Sequence, residues 1–265
     1  MLATRWLGVM AVVFFAACGG DAESDGAPPA EDTGPFLDTA PADTGTLEGV
    51  VTTLPTGGAE TCLWVNGGTD RVRASADGTP TGRSAQTVEA WVRTAALGSQ
   101  VAVSHGLASP NKALYLGTSG GHLMMSTGGL EHVDAAFFVA DGLWHHVAIT
   151  FDGDVATLTM DGQRGLQVAF DALDIAEGEV VAGAAPATGG LPWVGWIDDV
   201  KIYERERTAG DLVTPTADDV RGLVLWWDFE VDGSGPGVTV PDLSGAGSDG
   251  VSGGTEGTPS FLPCR

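Results

Sequence analysis

From about Thr46 to the C-terminus, short apolar or alternating segments recur roughly every ten residues. Gly, Asp, Asn and Pro residues separate these segments, and the Asp152-Gly153 and Asp161-Gly162 pairs are typical of tight hairpins. Alternation with a period of two predicts strands. The predicted strands are 60–65, 70–74, 86–94, 100–105, 112–118, 121–127, 130–138, 144–151, 155–161, 164–170, 178–183, 192–204 and 222–229. A short helix is favoured only at 207–213.

This many short strands in residues 49–265 predict one all-β domain, a two-sheet antiparallel β-sandwich of the jelly-roll kind. Composition agrees, because 43% hydrophobic residues can form a core and 40 glycines suit the many turns. Glycine weakens helix interiors by roughly 1 kcal/mol each, which disfavours a helical bundle. The net charge of -23 excludes nucleic-acid binding and electrostatic adhesion to anionic lipid, since both need a basic surface.

Residues 1–17 have the pattern of a signal peptide. Arg5 precedes an apolar run at 6–15, which is long enough for a signal-peptide core and too short to cross a bilayer. An ordinary secretory signal cleaved near Ala17 is one interpretation of this segment.

The next residues favour a second interpretation. Phe15-Ala16-Ala17-Cys18-Gly19 resembles the bacterial lipobox, although Phe15 replaces the usual Leu. The resemblance implies that Cys18 is a lipid attachment site and that the membrane is reached only through this anchor. With Gly19 after the cysteine, it implies an outer-membrane lipoprotein of the bacterial cell envelope, facing the periplasm or exposed at the surface.

Residues 18–48 differ from the rest of the chain in composition. Asp, Glu, Ala, Pro, Thr and Gly dominate, and no Lys or Arg occurs. Such a segment cannot bury enough apolar surface to offset the cost of ordering. We therefore predict an acidic disordered tether that spaces the domain from the membrane; a binding tail is the alternative.

The two remaining cysteines lie near the two ends of the folded region. If Cys18 is acylated and the chain is exported to an oxidising setting, Cys62 and Cys264 are expected to form a disulfide. Closing a loop of about 200 residues would stabilise the domain by up to about 4–5 kcal/mol. Two unrelated buried thiols are the alternative.

Four sequence blocks together resemble a known family. The blocks occupy 87–93, 142–153, 156–162 and 195–203, in the order and spacing of the laminin-G-like (concanavalin-A-like lectin/glucanase) jelly-roll domains of bacterial surface proteins. The stretches 223–230 and 242–245 resemble the segment often found at the start of such domains. Since terminal strands of a jelly roll lie close together, this segment is expected to complete the sandwich from the other end.

Two histidines and one aspartate are candidates for metal chemistry. His145 and His146 are adjacent on one predicted strand and must point to opposite faces, so they are interpreted as hydrogen-bonded structural residues. Asp198 is placed by simple alternation on the apolar face of its strand. The residues assigned to that face are Val194, Trp196, Asp198, Val200 and Ile202.

A carboxylate on an apolar face must find partners, because burying it unpaired is costly. A hydrogen-bond network around Asp198 is the favoured account. A calcium ion shared with loop carbonyls and another acid, such as Asp70, is the alternative, since hard oxygen ligands suit calcium and members of the resembled family often hold it. The site's metal content is therefore open.

The sequence favours recognition over catalysis. Glu230-Val231-Asp232 is the nearest match to the paired acids of sandwich glucanases and lacks the final Glu. We expect a non-catalytic module that binds a glycan. The tryptophans considered for exposure to sugar are Trp64, Trp91, Trp193, Trp226 and Trp227. An envelope domain that binds a surface protein is the alternative, and a polysaccharide-active hydrolase or lyase of the same fold is the third interpretation.

Overall fold

A computed structural model describes residues 61–186, 190–213, 220–254 and 258–264. The predicted signal peptide (1–17), Cys18 and the tether (18–48) lie outside these residues. The strands are β1 (Thr61–Asn66), β2 (Arg71–Ser75), β3 (Gln86–Arg93), β4 (Gln100–Gly106), β5 (Ala113–Ser119), β6 (His122–Ser126), β7 (Glu131–Phe138), β8 (Trp144–Phe151), β9 (Val155–Met160), β10 (Gln163–Ala169), β11 (Glu179–Ala182), β12 (Val194–Tyr203), β13 (Leu223–Trp227), β14 (Thr239–Val240), β15 (Gly250–Gly253) and β16 (Ser260–Pro263). One helix, α1 (Ala209–Val213), follows β12.

The strands form two antiparallel sheets. Sheet A has the order β10-β9-β8-β3-β12-β1-β16, and β13 also pairs with β12. Sheet B has the order β14-β15-β2-β11-β4-β5-β6-β7. The predicted two-sheet sandwich is confirmed, and every predicted strand is present within two residues of its expected bounds. No helix in the described part of the chain is long and apolar enough to cross a membrane.

The core lies between the sheets and is built by alternate residues of each strand. Val88, Ala90 and Val92 of β3 face it, as do Leu114 and Leu116 of β5. Because side chains alternate across a strand, the residues between them point to the outer faces. The residue types on the outer face of sheet A are therefore not determined by packing in the core.

The C-terminal segment contributes to both sheets. β13 and β16 join sheet A, while β14 and β15 extend sheet B. β16 pairs with β1, so that Cys62 lies opposite Leu262 and close to Cys264. The two cysteines form the expected disulfide, with 5.3 Å between their Cα atoms.

A bulge in β12 overturns one prediction. The register against β3 shifts between Asp198 and Lys201, and Asp199 adopts a φ of 50°. The bulge inserts an extra residue, so the alternation changes phase at this point. Ile197 and Val200 then both face the core. The prediction that Asp198 shares a face with Val200 and Ile202 was wrong, because Asp198 and Trp196 lie on the outer face instead.

Candidate functional site

The outer face of sheet A gathers aromatic and charged residues from its central strands. Trp91 of β3 is the cross-strand partner of His146 on β8 and of Asp198 on β12. One step along the strands, Arg93 pairs with Trp144 on one side and Trp196 on the other. Side chains opposite each other on one face lie within contact distance. The face is therefore ordered into rows that cross the strands.

The first row consists mainly of tryptophans. Trp144, Arg93, Trp196 and Trp64 follow one another across β8, β3, β12 and β1. Because neighbouring strands lie about 4.8 Å apart, this tryptophan row extends for roughly 14 Å. Trp144 is 9% exposed, and the other three side chains are partly exposed. Nε of Arg93 donates a hydrogen bond of 2.6 Å to the carbonyl oxygen of Gly142.

The second row contains the disulfide. The Sγ atoms of Cys62 and Cys264 and a carboxylate oxygen of Asp198 lie within 4.8 Å of one another. Trp91 packs against Cys62, and its ring meets that of His146 edge-on with 5.4 Å between centroids. This row is therefore shielded by aromatic rings on the side of β3.

Asp198 is held in its neutral form. The side chain is only 2% exposed, and Oδ1 has no hydrogen-bond partner within the described residues. Burial raises the pKa of Asp198 to about 8, and the nearby charge of Asp199 adds to this effect. At neutral pH the carboxyl group is therefore mostly protonated.

The far end of the face is polar and tightly paired. Nη1 of Arg207 donates to both carboxylate oxygens of Glu89 at 2.8 Å, and the guanidinium lies over the ring of Tyr203. Nε1 of Trp226 donates to Asp199 at 2.7 Å, and the Lys201 ammonium lies 4.9 Å from the Trp226 ring centroid. These groups satisfy one another's charges.

A small cleft opens beside this ion pair. Its volume is about 60 Å³, room for water or a single polar group. The residues that line it are Thr150, Thr159, Arg164, Glu206, Arg207, Thr208 and Ala209. The threonine hydroxyls and the exposed guanidinium of Arg164 can donate hydrogen bonds to a hydroxylated ligand.

The candidate tryptophans fall into two groups. Trp193 and Trp227 are fully buried in the core, which removes them from the candidates for contact with a sugar. Trp91 is nearly buried on the outer face, while Trp64 and Trp226 are partly exposed there. The pairing of Trp144 and Trp196 with Arg93 is not visible in the sequence, because strand register is needed to align these residues.

The two histidines lie on opposite faces of β8. His145 packs between Asp161 at 2.8 Å and Asp141 at 3.2 Å. Burial would lower the pKa of His145, but the hydrogen bonds and charges of these two aspartates outweigh it and raise the pKa. Burial lowers the pKa of His146, whose Nε2 lies 4.0 Å from a carboxylate oxygen of Glu89. His145 is thus a hydrogen-bonded structural residue, as expected, whereas Nδ1 of the buried His146 has no hydrogen-bond partner among the described residues.

Asp70 lies apart from Asp198. It accepts hydrogen bonds from the backbone amide of Asn66 and from the hydroxyl of Thr258. Asn66 pairs with Val194, four residues before Asp198, which corresponds to roughly 13 Å along the strand. Two ligands of one calcium ion lie at 2.3–2.6 Å from it. The structure thus does not bring Asp70 and Asp198 together for a shared ion.

Comparison with known proteins places this geometry in a family. The sequence model of the concanavalin A-like lectin/glucanases superfamily matches residues 66–212, more than half of the chain. A solved structure of a Bacteroides ovatus protein, to which carbohydrate binding has been assigned, is similar with a TM-score of 0.57 and 16% identity. That match covers 74% of this chain and 58% of the other, so this chain spans under two thirds of that relative's length. No curated protein matches the chain significantly.

Two further solved structures show a more distant likeness. A heptameric pentraxin from Limulus polyphemus is 16% identical with a TM-score of 0.47, over 62% of this chain and 84% of that one. Domains LG4-5 of the mouse laminin alpha1 chain are 17% identical with a TM-score of 0.45, over 60% of this chain and 46% of that one. At identities this low, structural likeness describes the fold alone.

Proposed function

The chain belongs to the concanavalin A-like lectin/glucanases superfamily, and from that premise we propose that it is a non-catalytic module that binds a glycan at the cell surface. The observation that supports this proposal most directly is the tryptophan row of Trp144, Arg93, Trp196 and Trp64. The row lies on a sheet face, where the strands hold the side chains in fixed register. A rigid surface of this kind loses little entropy when a ligand binds.

The row offers the two kinds of contact that a sugar needs. The partly exposed rings of Trp196 and Trp64 can present apolar surface to the C–H face of a pyranose, whereas Trp144 is only 9% exposed. Arg93 places a positively charged guanidinium between the rings, and this charge favours an acidic substituent on the sugar. The partly exposed residues Arg93, Trp196 and Trp64 span two strand spacings, about 10 Å, which suits a short oligosaccharide better than a single sugar ring.

The state of the carboxylates supports binding without turnover. Retaining glycosidases need a free carboxylate about 5 Å from a proton donor. Glu89 is engaged through both oxygens by Arg207, and Asp198 is buried beside the disulfide. Neither side chain is placed to attack a sugar bound on the tryptophan row.

A glycan array probed with and without calcium tests the proposal. We expect binding to a subset of glycans, and about tenfold weaker binding after Trp196→Ala or Trp64→Ala, because each removes a stacking surface. Phe138→Ala, which truncates an exposed aromatic residue of sheet B, is the matched control and should leave glycan binding unchanged. Release of reducing sugar from a bound polysaccharide would replace the proposal with an enzymatic one.

An exposed apolar patch favours a second candidate function, the binding of an envelope protein. Leu97 is 62% exposed and Phe138 is 42% exposed, and both side chains lie against Gly121. Contiguous exposed apolar groups often mark protein interfaces. A silent glycan array, together with capture of one envelope protein that Leu97→Ala and Phe138→Ala abolish, would favour this candidate.

We also propose that acylation of Cys18 anchors the module in the bacterial outer membrane through the tether of residues 18–48. The lipobox-like sequence around Cys18 supports this proposal, since two or three acyl chains on one residue anchor a protein stably. Metabolic labelling with a fatty acid should mark the parent chain and not Cys18→Ser. Protease treatment of intact cells would then distinguish the surface from the periplasm.

A further inference from the structure

Three metal-ligand side chains meet on the outer face of sheet A. Asp198 is on β12, Cys62 is on the adjacent strand β1, and Cys264 follows β16, the next strand along. The register of Leu63 with Ile197 and of Thr61 with Pro263 fixes these three side chains in one row. Their sulfur and oxygen atoms all lie within 4.8 Å of one another.

The buried carboxyl group of Asp198 is a second, independent observation. Its Oδ1 is unpartnered within the described residues, although a buried oxygen normally accepts a hydrogen bond. The carboxyl group that places one oxygen near the two sulfurs thus also carries a buried oxygen without a hydrogen-bond partner among the described residues.

We propose that reduction of the Cys62–Cys264 disulfide creates a zinc site whose protein ligands are the two cysteine thiolates and Asp198. A dithiol supplies the two electrons and two protons, so that the disulfide becomes two thiols and the dithiol becomes a cyclic disulfide. Zinc then displaces the two thiol protons and the carboxyl proton. Water occupies the fourth position, as in other zinc sites with three protein ligands.

The distances suit tetrahedral zinc. With Zn–S bonds of about 2.3 Å and a Zn–O bond of about 2.1 Å, tetrahedral angles separate the sulfurs by about 3.8 Å and place the oxygen about 3.6 Å from each. The present ligand atoms already lie within 4.8 Å of one another, and the Cα atoms of the cysteines are 5.3 Å apart. Small rotations of the freed cysteine side chains therefore complete the site.

The ligand set selects the class of metal. Thiolates are soft ligands that favour zinc over calcium and magnesium, which prefer oxygen alone. Asp199, Asp228 and Glu230 place negative charge near Asp198, and these charges attract a cation. In the oxidised protein the sulfurs are bonded to each other, so the site exists only after reduction.

Titration of Co²⁺ into the full chain tests the proposal, with Cys18→Ser as background so that Cys62 and Cys264 are the only thiols. After reduction with a phosphine and removal of oxygen, we expect one equivalent to give thiolate-to-cobalt charge transfer and the strong visible bands of tetrahedral Co²⁺. Competition with Zn²⁺ then gives the zinc affinity. The oxidised chain should show neither signal.

Variants separate ligation from charge. Asp198→Asn should weaken Co²⁺ binding by about tenfold or more, and Cys62→Ser should abolish the two-thiolate spectrum. Asp228→Asn removes a nearby charge without removing a ligand and should change affinity by less than about threefold. The proposal fails if the reduced chain gives no thiolate–cobalt spectrum, if Asp198→Asn binds as tightly as the parent, or if circular dichroism shows the reduced chain unfolded despite saturating zinc.

Discussion

Nη1 of Arg207 lies 2.8 Å from both carboxylate oxygens of Glu89, and both residues are almost completely buried on the outer face of sheet A. The backbone amide of Arg207 also donates to the hydroxyl of Thr87, which in turn donates to the carbonyl oxygen of Arg205. The segment that follows β12 is thus fastened to β3 at two points. This segment covers the polar end of the face and does not extend over the tryptophan row at the other end.

Loss of this ion pair should destabilise the domain strongly. We expect Glu89→Ala to lower the free energy of unfolding by about 3–5 kcal/mol, because Arg207 would keep a buried charge without its carboxylate partner. Urea denaturation measures the effect. Arg73→Ala breaks an exposed ion pair with Glu179 and should cost no more than about 1 kcal/mol. Equal losses for the two variants would contradict the buried pair.

The disulfide should stabilise the sandwich by joining its two terminal strands. We expect Cys62→Ala with Cys264→Ala to lower the free energy of unfolding by about 2–5 kcal/mol, since the bridge closes a long loop in the unfolded chain. The sequence separation of the cysteines is 202 residues. Denaturant titrations of the double variant and of the reduced parent, both in metal-free buffer, should agree. A double variant as stable as the oxidised parent would contradict this role.

His105 should make stability depend on pH in the acid range. It is fully buried, with Nε2 2.7 Å from the Thr79 hydroxyl and Nδ1 3.2 Å from Oε1 of Gln86. Burial lowers the pKa of His105 to about 4. Between pH 6.5 and 4, His105 is therefore protonated in the unfolded chain but neutral in the folded chain. The free energy of unfolding decreases as the pH falls through this window.

The lost stability amounts to about 3 kcal/mol over that window. His105→Gln keeps polar atoms at the position but does not titrate. The difference in unfolding free energy between parent and variant should therefore shrink as the pH falls from 7 to 4.5, while carboxylates contribute equally to both proteins. A difference that stays constant over this range would show that His105 is not buried as a neutral ring.

Local patterning was sufficient to predict the strands but not the whole site. Apolar alternation identified β3 because its core residues Val88, Ala90 and Val92 are separated by Glu89 and Trp91. β14, β15 and β16 escaped prediction because they are two, four and four residues long. Too few residues remain in such strands for a period to be visible.

The candidate site depends on long-range pairing. Trp144, Arg93 and Trp196 are distant in sequence and become neighbours only through the register of β8, β3 and β12. The face on which Asp198 lies was also predicted wrongly, because the bulge at Asp199 interrupts the alternation of side chains and the sequence pattern does not reveal it. The disulfide could be predicted because, once Cys18 was assigned to lipid attachment, the two remaining cysteines lay near the two ends of the folded region.

Gly195 should be essential to the alignment of the tryptophan row. It precedes Trp196 and has a φ of 141°, a conformation that residues with a side chain rarely adopt. A Cβ atom built there would lie 2.2 Å from the carbonyl oxygen of Arg93, which belongs to the neighbouring strand. An alanine would therefore push β12 away from β3 at the point where Trp196 and Arg93 pair.

We expect Gly195→Ala to lower the free energy of unfolding by about 3 kcal/mol or more, from backbone strain and the steric clash together. Gly98→Ala is the matched control, because no atom lies within 4 Å of its added Cβ and its φ is not positive. Denaturant titration compares their stabilities, and glycan binding is then measured at a temperature where both variants are folded. Loss of glycan affinity in a folded Gly195→Ala variant would show that binding depends on the spacing of β12 and β3. If the variant instead kept the stability and glycan affinity of the parent, the close approach of these strands would not be needed to align the tryptophan row.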